Sequence, residues 1–183
     1  MAPDPVHYRG RMPALIEPTT ALHAPWLAAH EEWGPGLHED GFGLTASDDV
    51  RSPAGFHAWV ARLTSGSAPA GVAGPGATSS TYRWVVEGDQ VLGGIALRTG
   101  PRDLVLRMGH IGFGIRPSAR RRGVAAWALG QMLTEAASQG LDRVLLVCEV
   151  GNTASAATIQ ALGGALEDAP RPDDHVRRYW IAL

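Results

Sequence analysis

The spacing of apolar residues predicts helices that alternate with strands. Apolar positions recur every three to four residues over 20–32, 53–63 and 124–139, which is the period of an amphipathic helix. A further helix is expected over 153–162, where an Asn-Thr-Ala-Ser stretch supplies the cap and two glycines supply the end. Ser52-Pro53 marks the start of the second helix, because proline is favoured at the first helical position.

Seven apolar runs have the length and composition of strands. They lie around Leu15 and at 82–86, 90–98, 105–116, 144–148, 165–167 and 176–182. Short links between the second, third and fourth runs predict an antiparallel meander, with a bulge at Gly93-Gly94. The run 144–148 follows 105–116 through a helix and is apolar throughout, so these two strands are expected to be parallel and joined by a right-handed crossover.

The polar stretch 37–50 and the stretch 65–80, rich in glycine, alanine, proline and serine, have no helical or strand period. Both are predicted to be loops that border a binding site, because long loops in compact domains often carry function. Acidic residues in the first loop either attract a basic amine or are simply solvated. They are Glu39, Asp40, Asp48 and Asp49.

Composition limits the classes of protein to which the chain can belong. Its 183 residues are 45% hydrophobic and 19% charged, which is typical of one globular domain with a buried core. The net charge of -2 argues against a general nucleic-acid binder. The single cysteine, Cys148, rules out an internal disulfide framework, and no apolar run approaches the roughly 20 residues that span a bilayer. A cytoplasmic protein without nucleic-acid or membrane partners is therefore expected.

The stretch 110–127 organises the chain. It begins as a strand with interleaved glycines, is broken by Arg116-Pro117-Ser118, and continues through three arginines and Gly123 into a helix. The first backbone N–H groups of a helix have no partner within the helix, and they attract anions together with the helix dipole. This basic turn therefore predicts a site for a phosphorylated cofactor, although a merely solvated turn would have the same composition.

Two motifs and the order of the elements resemble the GNAT acyltransferases. Arg120-x-x-Gly123-x-Ala125 is similar to the acyl-CoA signature of that family, and Asn152-x-x-Ser155-Ala156 is similar to its Asn element. The resemblance covers about 84–183 and implies an α/β (α+β sandwich) fold. That fold is a mixed, mostly antiparallel twisted sheet with a central parallel βαβ splay and helices on both faces. It also implies a single domain over 1–183, with a helical acceptor-side region at 1–80 and an acetyl-CoA-binding core at 81–183.

The resemblance implies acetyl-CoA as co-substrate, with no metal. The basic turn would hold the pyrophosphate, the strand before it would hold the pantetheine arm, and the Asn element would contact that arm. The residues implied are Ile111, Phe113, Gly114, Ile115, Arg120, Arg121, Arg122, Gly123, Val124, Ala125, Ala126, Asn152 and Ser155. Two alternatives stay open: Gly114 and its neighbour Gly112 also suit tight packing, and Asn152 also suits helix capping.

Three residues are candidates for proton transfer. Glu149 ends the strand 144–148 and His110 lies on the predicted strand 105–116 beside it, so either is placed to act as the base, although each also suits an ordinary surface or packed role. Many GNAT proteins carry a tyrosine seven residues after the Asn element as the acid for the leaving thiolate. Ile159 occupies that position here, which leaves water or Tyr179. Cys148, inside an apolar run, is expected to be inert core rather than a nucleophile.

The predicted function is transfer of acetyl from acetyl-CoA to a primary amine of a small molecule, by direct attack in a ternary complex. Acetylation of a peptide or protein N-terminus or of a lysine is the first alternative, and a non-catalytic acyl-CoA-binding module is the second. A P-loop nucleotidase is a weaker rival, because the turn lacks Gly-Lys-Ser/Thr. Exposed strand edges and the closing hairpin are compatible with a homodimer.

Overall fold

The computed structural model describes residues 12–34, 41–65, 79–168 and 175–183. Its strands are β1 (Ala14–Ile16), β2 (Ser79–Glu87), β3 (Gln90–Thr99), β4 (Ile111–Ile115), β5 (Arg143–Glu149), β6 (Ala165–Leu166) and β7 (Val176–Ala182). Its helices are α1 (His23–Trp33), α2 (Pro53–Ser65), α3 (Arg102–Met108), α4 (Val124–Ser138) and α5 (Thr153–Ala161). The four helices and the seven strands predicted from the sequence are present, and α3 is additional. Within these ranges, no helix is both long and apolar enough to cross a membrane.

The strands form two antiparallel sheets. One has the order β1-β2-β3-β4 and the other has the order β5-β7-β6, so the predicted meander is confirmed. A bulge interrupts the pairing of β2 with β3, because Val85 lies opposite Gly93 whereas Val86 lies opposite Val91. The extra residue is Leu92, immediately before the glycine pair at which the bulge was predicted.

The two sheets meet where β4 begins. The N–H of His110 donates to the carbonyl of Leu145 over 2.7 Å, and the N–H of Leu145 donates to Nδ1 of the His110 ring over 2.8 Å. Beyond this point β4 stays with the first sheet and β5 stays with the second. The arrangement confirms the predicted α/β fold with a central splay.

The prediction of one strand over 105–116 is wrong. Residues Arg102–Met108 form α3, and the strand begins only at Ile111. Pro101 precedes the first turn of this helix, and Gly109 ends it with a φ of 76°. The apolar run at 104–106 is too short for its period to distinguish a helix from a strand. Only Pro101 and Gly109, as start and stop signals, indicated a helix.

A cluster of aromatic side chains fills the space between the first sheet, α1 and α2. Trp26, Phe42, Phe56, Trp59 and Trp84 are each at most 2% exposed. The ring of Trp59 stacks on that of Trp84, with centroids 5.8 Å apart. The indole N–H groups of Trp26, Trp59 and Trp84 are buried without a hydrogen-bond acceptor. In this cluster the packing of the aromatic rings therefore outweighs the cost of leaving three indole N–H groups without acceptors.

A second hydrophobic core lies between the sheets and the helices α4 and α5. On α4 its members are Val124, Ala128, Leu129, Met132 and Ala136, at the spacing of one helical face. Because the aromatic cluster packs against the opposite side of β2 and β3, that sheet is covered on both faces. The face of β2, β3 and β4 that carries Tyr82 and Trp84 is called the aromatic face below.

Candidate active site

The basic turn between β4 and α4 has the backbone shape of an anion site. Arg121 adopts a φ of 58° and Gly123, the residue before α4, adopts a φ of 76°. No side chain caps the first N–H groups of α4. A Cβ on Gly123 would meet no atom within 4 Å, so glycine is favoured here by the left-handed conformation rather than by crowding. The N–H groups of Val124, Ala125 and Ala126 therefore remain available to an anion.

The three arginines of the turn have different surroundings. Nε of Arg120 donates to the carbonyl of Ile115 over 2.9 Å, and Nη2 of Arg122 contacts both carboxylate oxygens of Glu87 at 2.8 and 2.9 Å. Arg121 is exposed and makes no hydrogen bond or ion pair with the described residues. Arg120 and Arg122 thus shape the turn, whereas the guanidinium of Arg121 is available to a phosphate.

Glu32, at the end of α1, fixes the start of this turn. Its carboxylate accepts hydrogen bonds from the backbone N–H and the hydroxyl of Ser118 and forms an ion pair with Arg116. Burial acts to raise the pKa of Glu32, but these hydrogen bonds and the Arg116 charge hold it below its ordinary value. Sequence reasoning missed this residue, because its partners lie more than 80 positions away and no motif links them.

One edge of β4 faces away from β3. The carbonyl of His110 accepts from the N–H of Arg98, and the N–H of Arg116 donates to β3, so the even-numbered residues of β4 point their polar groups at β3. Backbone groups alternate along a strand. Those of Ile111, Phe113 and Ile115 therefore point to the opposite edge, at which the sheets splay apart. This edge is suited to pair with an extended amide chain such as pantetheine.

Glycines leave the aromatic face of β4 without side chains. Gly112 lies opposite Ala96, and Gly114 lies opposite Gly94. Since the backbone of Gly114 pairs with β3, its predicted part in cofactor binding is limited to the space that its missing side chain leaves. The guanidinium of Arg98 lies over Gly112, where a Cβ would approach its Nη atoms to 2.9 Å. Sequence reasoning missed Arg98, because its contact with Gly112 depends on how β3 pairs with β4.

The Asn element begins α5. Oδ1 of Asn152 accepts from the N–H of Ser155 over 3.0 Å and caps the helix. Capping occupies the amide oxygen and leaves the NH₂ group of the exposed Asn152 as a donor. Capping and a contact with a cofactor are therefore compatible.

His110 is held as a neutral ring. A backbone N–H can only donate, so Nδ1 of His110 accepts from Leu145 and the ring proton lies on Nε2. Burial and then the nearby Arg143 lower the pKa of His110. Neither ring nitrogen has a free lone pair in this geometry, which disfavours His110 as a general base. Its observed part is to join the two sheets.

Glu149 and Tyr179 differ in exposure. Glu149 is exposed at the end of β5, and its carboxylate has no partner among the described residues. Tyr179 is only 1% exposed and packs in the same core as Ile159. Burial raises the pKa of the nearby Cys148 thiol, with Arg177 opposing, which fits an inert cysteine. Glu149 is thus the candidate with an accessible proton-accepting group.

Two of the acidic residues of the first loop, Asp48 and Asp49, have structural partners. Asp48 pairs with Arg62 over 2.6 Å, and Asp49 accepts from Ser52 at the start of α2. Burial acts to raise the pKa of Asp48, but Thr45 and Arg62 hold it low. These carboxylates are therefore engaged, which weakens the hypothesis that they attract an amine.

Glu39 and Asp40 lie outside the described residues. Among the residues that are described, no group of three or more His, Cys, Asp or Glu side chains could hold a metal ion.

Comparisons with known proteins agree with this geometry. Residues 14–165 match the model of the GNAT acetyltransferase domain. No curated protein matches the sequence.

Solved structures share the fold at low sequence identity. Microcin C7 self-immunity acetyltransferase MccE, solved with acetyl-CoA and AMP, is 13% identical with a TM-score of 0.63, over 93% of this chain and 92% of that one. A Salmonella typhimurium acetyltransferase that modifies the N-terminal serine of ribosomal protein L7/L12 is 16% identical with a TM-score of 0.63, over 93% and 95%. The ribosomal L7/L12 α-N-protein acetyltransferase RimL, solved with coenzyme A, is 15% identical with a TM-score of 0.64, over 93% and 94%.

Proposed function

This chain belongs to the GNAT acetyltransferase family, and on that premise we propose that it acetylates a primary amine of a small molecule. The protein is an acetyl-CoA-dependent N-acetyltransferase. The hypothesis of a non-catalytic binding module is therefore set aside. The proposal includes the class of acceptor and the catalytic residues. It also includes a single domain whose acceptor-side region ends at residue 80, and a homodimer.

The cofactor would lie across the splay. Its pyrophosphate would accept from the N–H groups at the start of α4, with Arg121 adding a positive charge. The pantetheine amides would pair with the free edge of Ile111, Phe113 and Ile115. Support comes from the uncapped helix start and from the alternation of hydrogen bonds along β4.

The reaction would proceed by direct attack in a ternary complex. Glu149 would remove a proton from the ammonium of the acceptor, and the neutral nitrogen would attack the thioester carbonyl. A backbone N–H on the free edge of β4 would stabilise the oxyanion. The C–S bond then breaks, the nitrogen releases its second proton, and the thiolate takes up a proton from water or from Tyr179, so that one proton in total remains on Glu149. Glu149 is favoured over His110 because its carboxylate is exposed, whereas both nitrogens of His110 are committed.

One observation favours a small acceptor over a protein. Residues 41–43 lie directly on the aromatic face: a Cβ on Gly41 would be 2.3 Å from the carbonyl oxygen of Gly94, and a Cβ on Gly94 would be 2.8 Å from the ring of Phe42. The loop thereby covers the aromatic face at Gly94 and Tyr82, which leaves a narrow space on this face beside them. A narrow space suits a small amine better than a polypeptide. Ribosomal-protein acetyltransferases share this fold, so the test also includes a protein N-terminus as acceptor.

The test is release of the coenzyme A thiol from acetyl-CoA with amines, amino acids, polyamines, aminoglycosides and peptides. Turnover is expected with a small amine, and Glu149→Gln should lower kcat by 100-fold or more with little change in acetyl-CoA binding. Asp89→Asn, which neutralises an exposed carboxylate in the β2–β3 turn, is the matched control. Turnover of peptides alone would refute the small acceptor. Full activity of Glu149→Gln would refute the assigned base.

A further inference from the structure

Arg98 lies where the two sheets meet. Its backbone N–H donates to the carbonyl of His110 over 2.6 Å, and its partly buried side chain extends over Gly112 of β4. Both Nη atoms would be 2.9 Å from a Cβ on Gly112. The guanidinium therefore occupies the part of the aromatic face that the glycines of β4 leave bare.

The side chain of Arg98 has no hydrogen bond or ion pair within the described residues. Two other partly buried arginines, Arg83 and Arg116, are paired, the first with Glu135 over 2.9 Å and the second with Glu32. Removing a guanidinium from water without a counter-charge is unfavourable. An anion from outside the chain would offset that cost.

Arg98 is on the side of the sheet from which an acceptor would approach. Tyr82, Ala96 and Gly112 lie in register across three strands, and Arg98 follows Ala96 on the same face. The core beneath α4 and α5 lies on the opposite face. The guanidinium therefore faces the acceptor space and is directed away from α4.

Glu149 lies on the same side, across the splay. Along β5 it shares a face with Leu145, which pairs with Trp180. The ring of Trp180 contacts that of His110, whose centroid is 6.3 Å away, and His110 is the residue that joins β5 to β4. A positive group and a negative group, neither paired within the described residues, thus border the two sides of the cleft.

From this arrangement, and resting on the acetyltransferase function proposed above, we infer that the acceptor carries a carboxylate that Arg98 binds. The ammonium of the acceptor would lie toward Glu149 and its carboxylate toward Arg98, as in an amino acid. A guanidinium presents two parallel N–H donors that match a carboxylate. A single positive charge also balances a carboxylate better than a doubly charged phosphate.

The test compares each of the common amino acids with its own amide, which keeps the α-amine and the side chain and replaces the carboxylate with a neutral group. Coenzyme A thiol release should be faster with the acid for at least one pair. Arg98→Met keeps the apolar stem and removes the charge, and it should lower kcat/KM for that acid by about 10- to 100-fold. The amide should change little, and Arg98→Lys should be intermediate because it keeps the charge without the fork.

Arg102→Met is the control, since it removes the same charge from an exposed position on α3. Thermal unfolding and acetyl-CoA binding establish that each variant is folded. If Arg98→Met does not fold, Arg98→Lys takes its place in the comparison. Equal rates with acid and amide would refute the inference that Arg98 binds a carboxylate of the acceptor. So would an equal loss of rate with acid and amide in Arg98→Met. Either result would leave the acetyltransferase function standing. No thiol release with any amine would overturn the proposed function itself.

Discussion

The neutral ring of His110 makes a measurable contribution to stability. Leu145 is fully buried, and its N–H has Nδ1 of His110 as its acceptor. His110→Leu removes that acceptor and keeps an apolar side chain, whereas His110→Asn places an amide oxygen close to the position of Nδ1. The two substitutions therefore separate the loss of the acceptor from the loss of the ring.

The size of the effect follows from the cost of a buried N–H without a partner. That cost is about 1–3 kcal/mol, so His110→Leu should lower the free energy of unfolding by that amount at pH 8. His110→Asn should recover most of it. The edge contact between the ring of His110 and Trp180 is lost in both variants, so it does not affect the comparison between them.

The pH dependence has a definite sign. Burial and Arg143 lower the pKa of His110 in the folded state, so the unfolded chain binds this proton first as the pH falls. The stability that the neutral ring provides is fully present above the pKa of the histidine in the unfolded chain, which is about 6.5. Below that pH it is lost, and the free energy of unfolding falls by no more than about 1.4 kcal/mol per pH unit. The loss stops at the folded pKa. Asparagine does not titrate, so the advantage of the wild type over His110→Asn should shrink as the pH falls from 7.5 to 5.

Urea unfolding of the three proteins at pH 8, 6.5 and 5.5 measures these differences. The remaining histidines are the same in all three proteins, so their contributions cancel in the comparison. Equal stability of the leucine and asparagine variants at pH 8 would contradict the assigned hydrogen bond. A gap between wild type and His110→Asn that widens toward acid pH would contradict the neutral ring.

Two further substitutions test the loop and the Asn element. Gly41→Ala should lower the free energy of unfolding by about 1–3 kcal/mol, because residue 41 has a φ of 92° and its Cβ would meet the carbonyl of Gly94. Thermal unfolding measures this loss, and an unchanged melting temperature would contradict the packing of the loop on the sheet. Asn152→Ala should cost about 1 kcal/mol in urea unfolding whereas Asn152→Asp should not, because aspartate also caps a helix. Weaker acetyl-CoA binding by both variants would show that the amide donor contacts the cofactor, and unchanged binding by Asn152→Asp would limit Asn152 to capping.

Local pattern predicted most of the fold. The helices α2 and α4 are long enough for their period to decide, β5 is a continuous apolar run, and proline or glycine marks the ends of these elements. The helix α3 could not be distinguished from a strand by period, because its continuous apolar run is only three residues long. Its packing against β5, which no local rule encodes, stabilises the helix.

The candidate site divides in the same way. The backbone of the basic turn and the cap at Asn152 follow from neighbouring residues, and both were predictable. The contacts of Glu32 with Ser118 and of Arg98 with Gly112 join distant parts of the chain. Such contacts are set by how the elements pack, so charge and spacing along the sequence could not indicate them.

The aromatic cluster makes the protein its own optical reporter. Four of the six tryptophans belong to that cluster or pack against it: Trp26, Trp33, Trp59 and Trp84. Three of these have indole N–H groups without acceptors, so their excited states are shielded from relaxation by polar partners and should emit at short wavelength. Intrinsic fluorescence will therefore report mainly on the aromatic cluster, while far-ultraviolet circular dichroism follows the whole protein. If the two signals separate during unfolding, the aromatic half opens independently of the half that carries the basic turn.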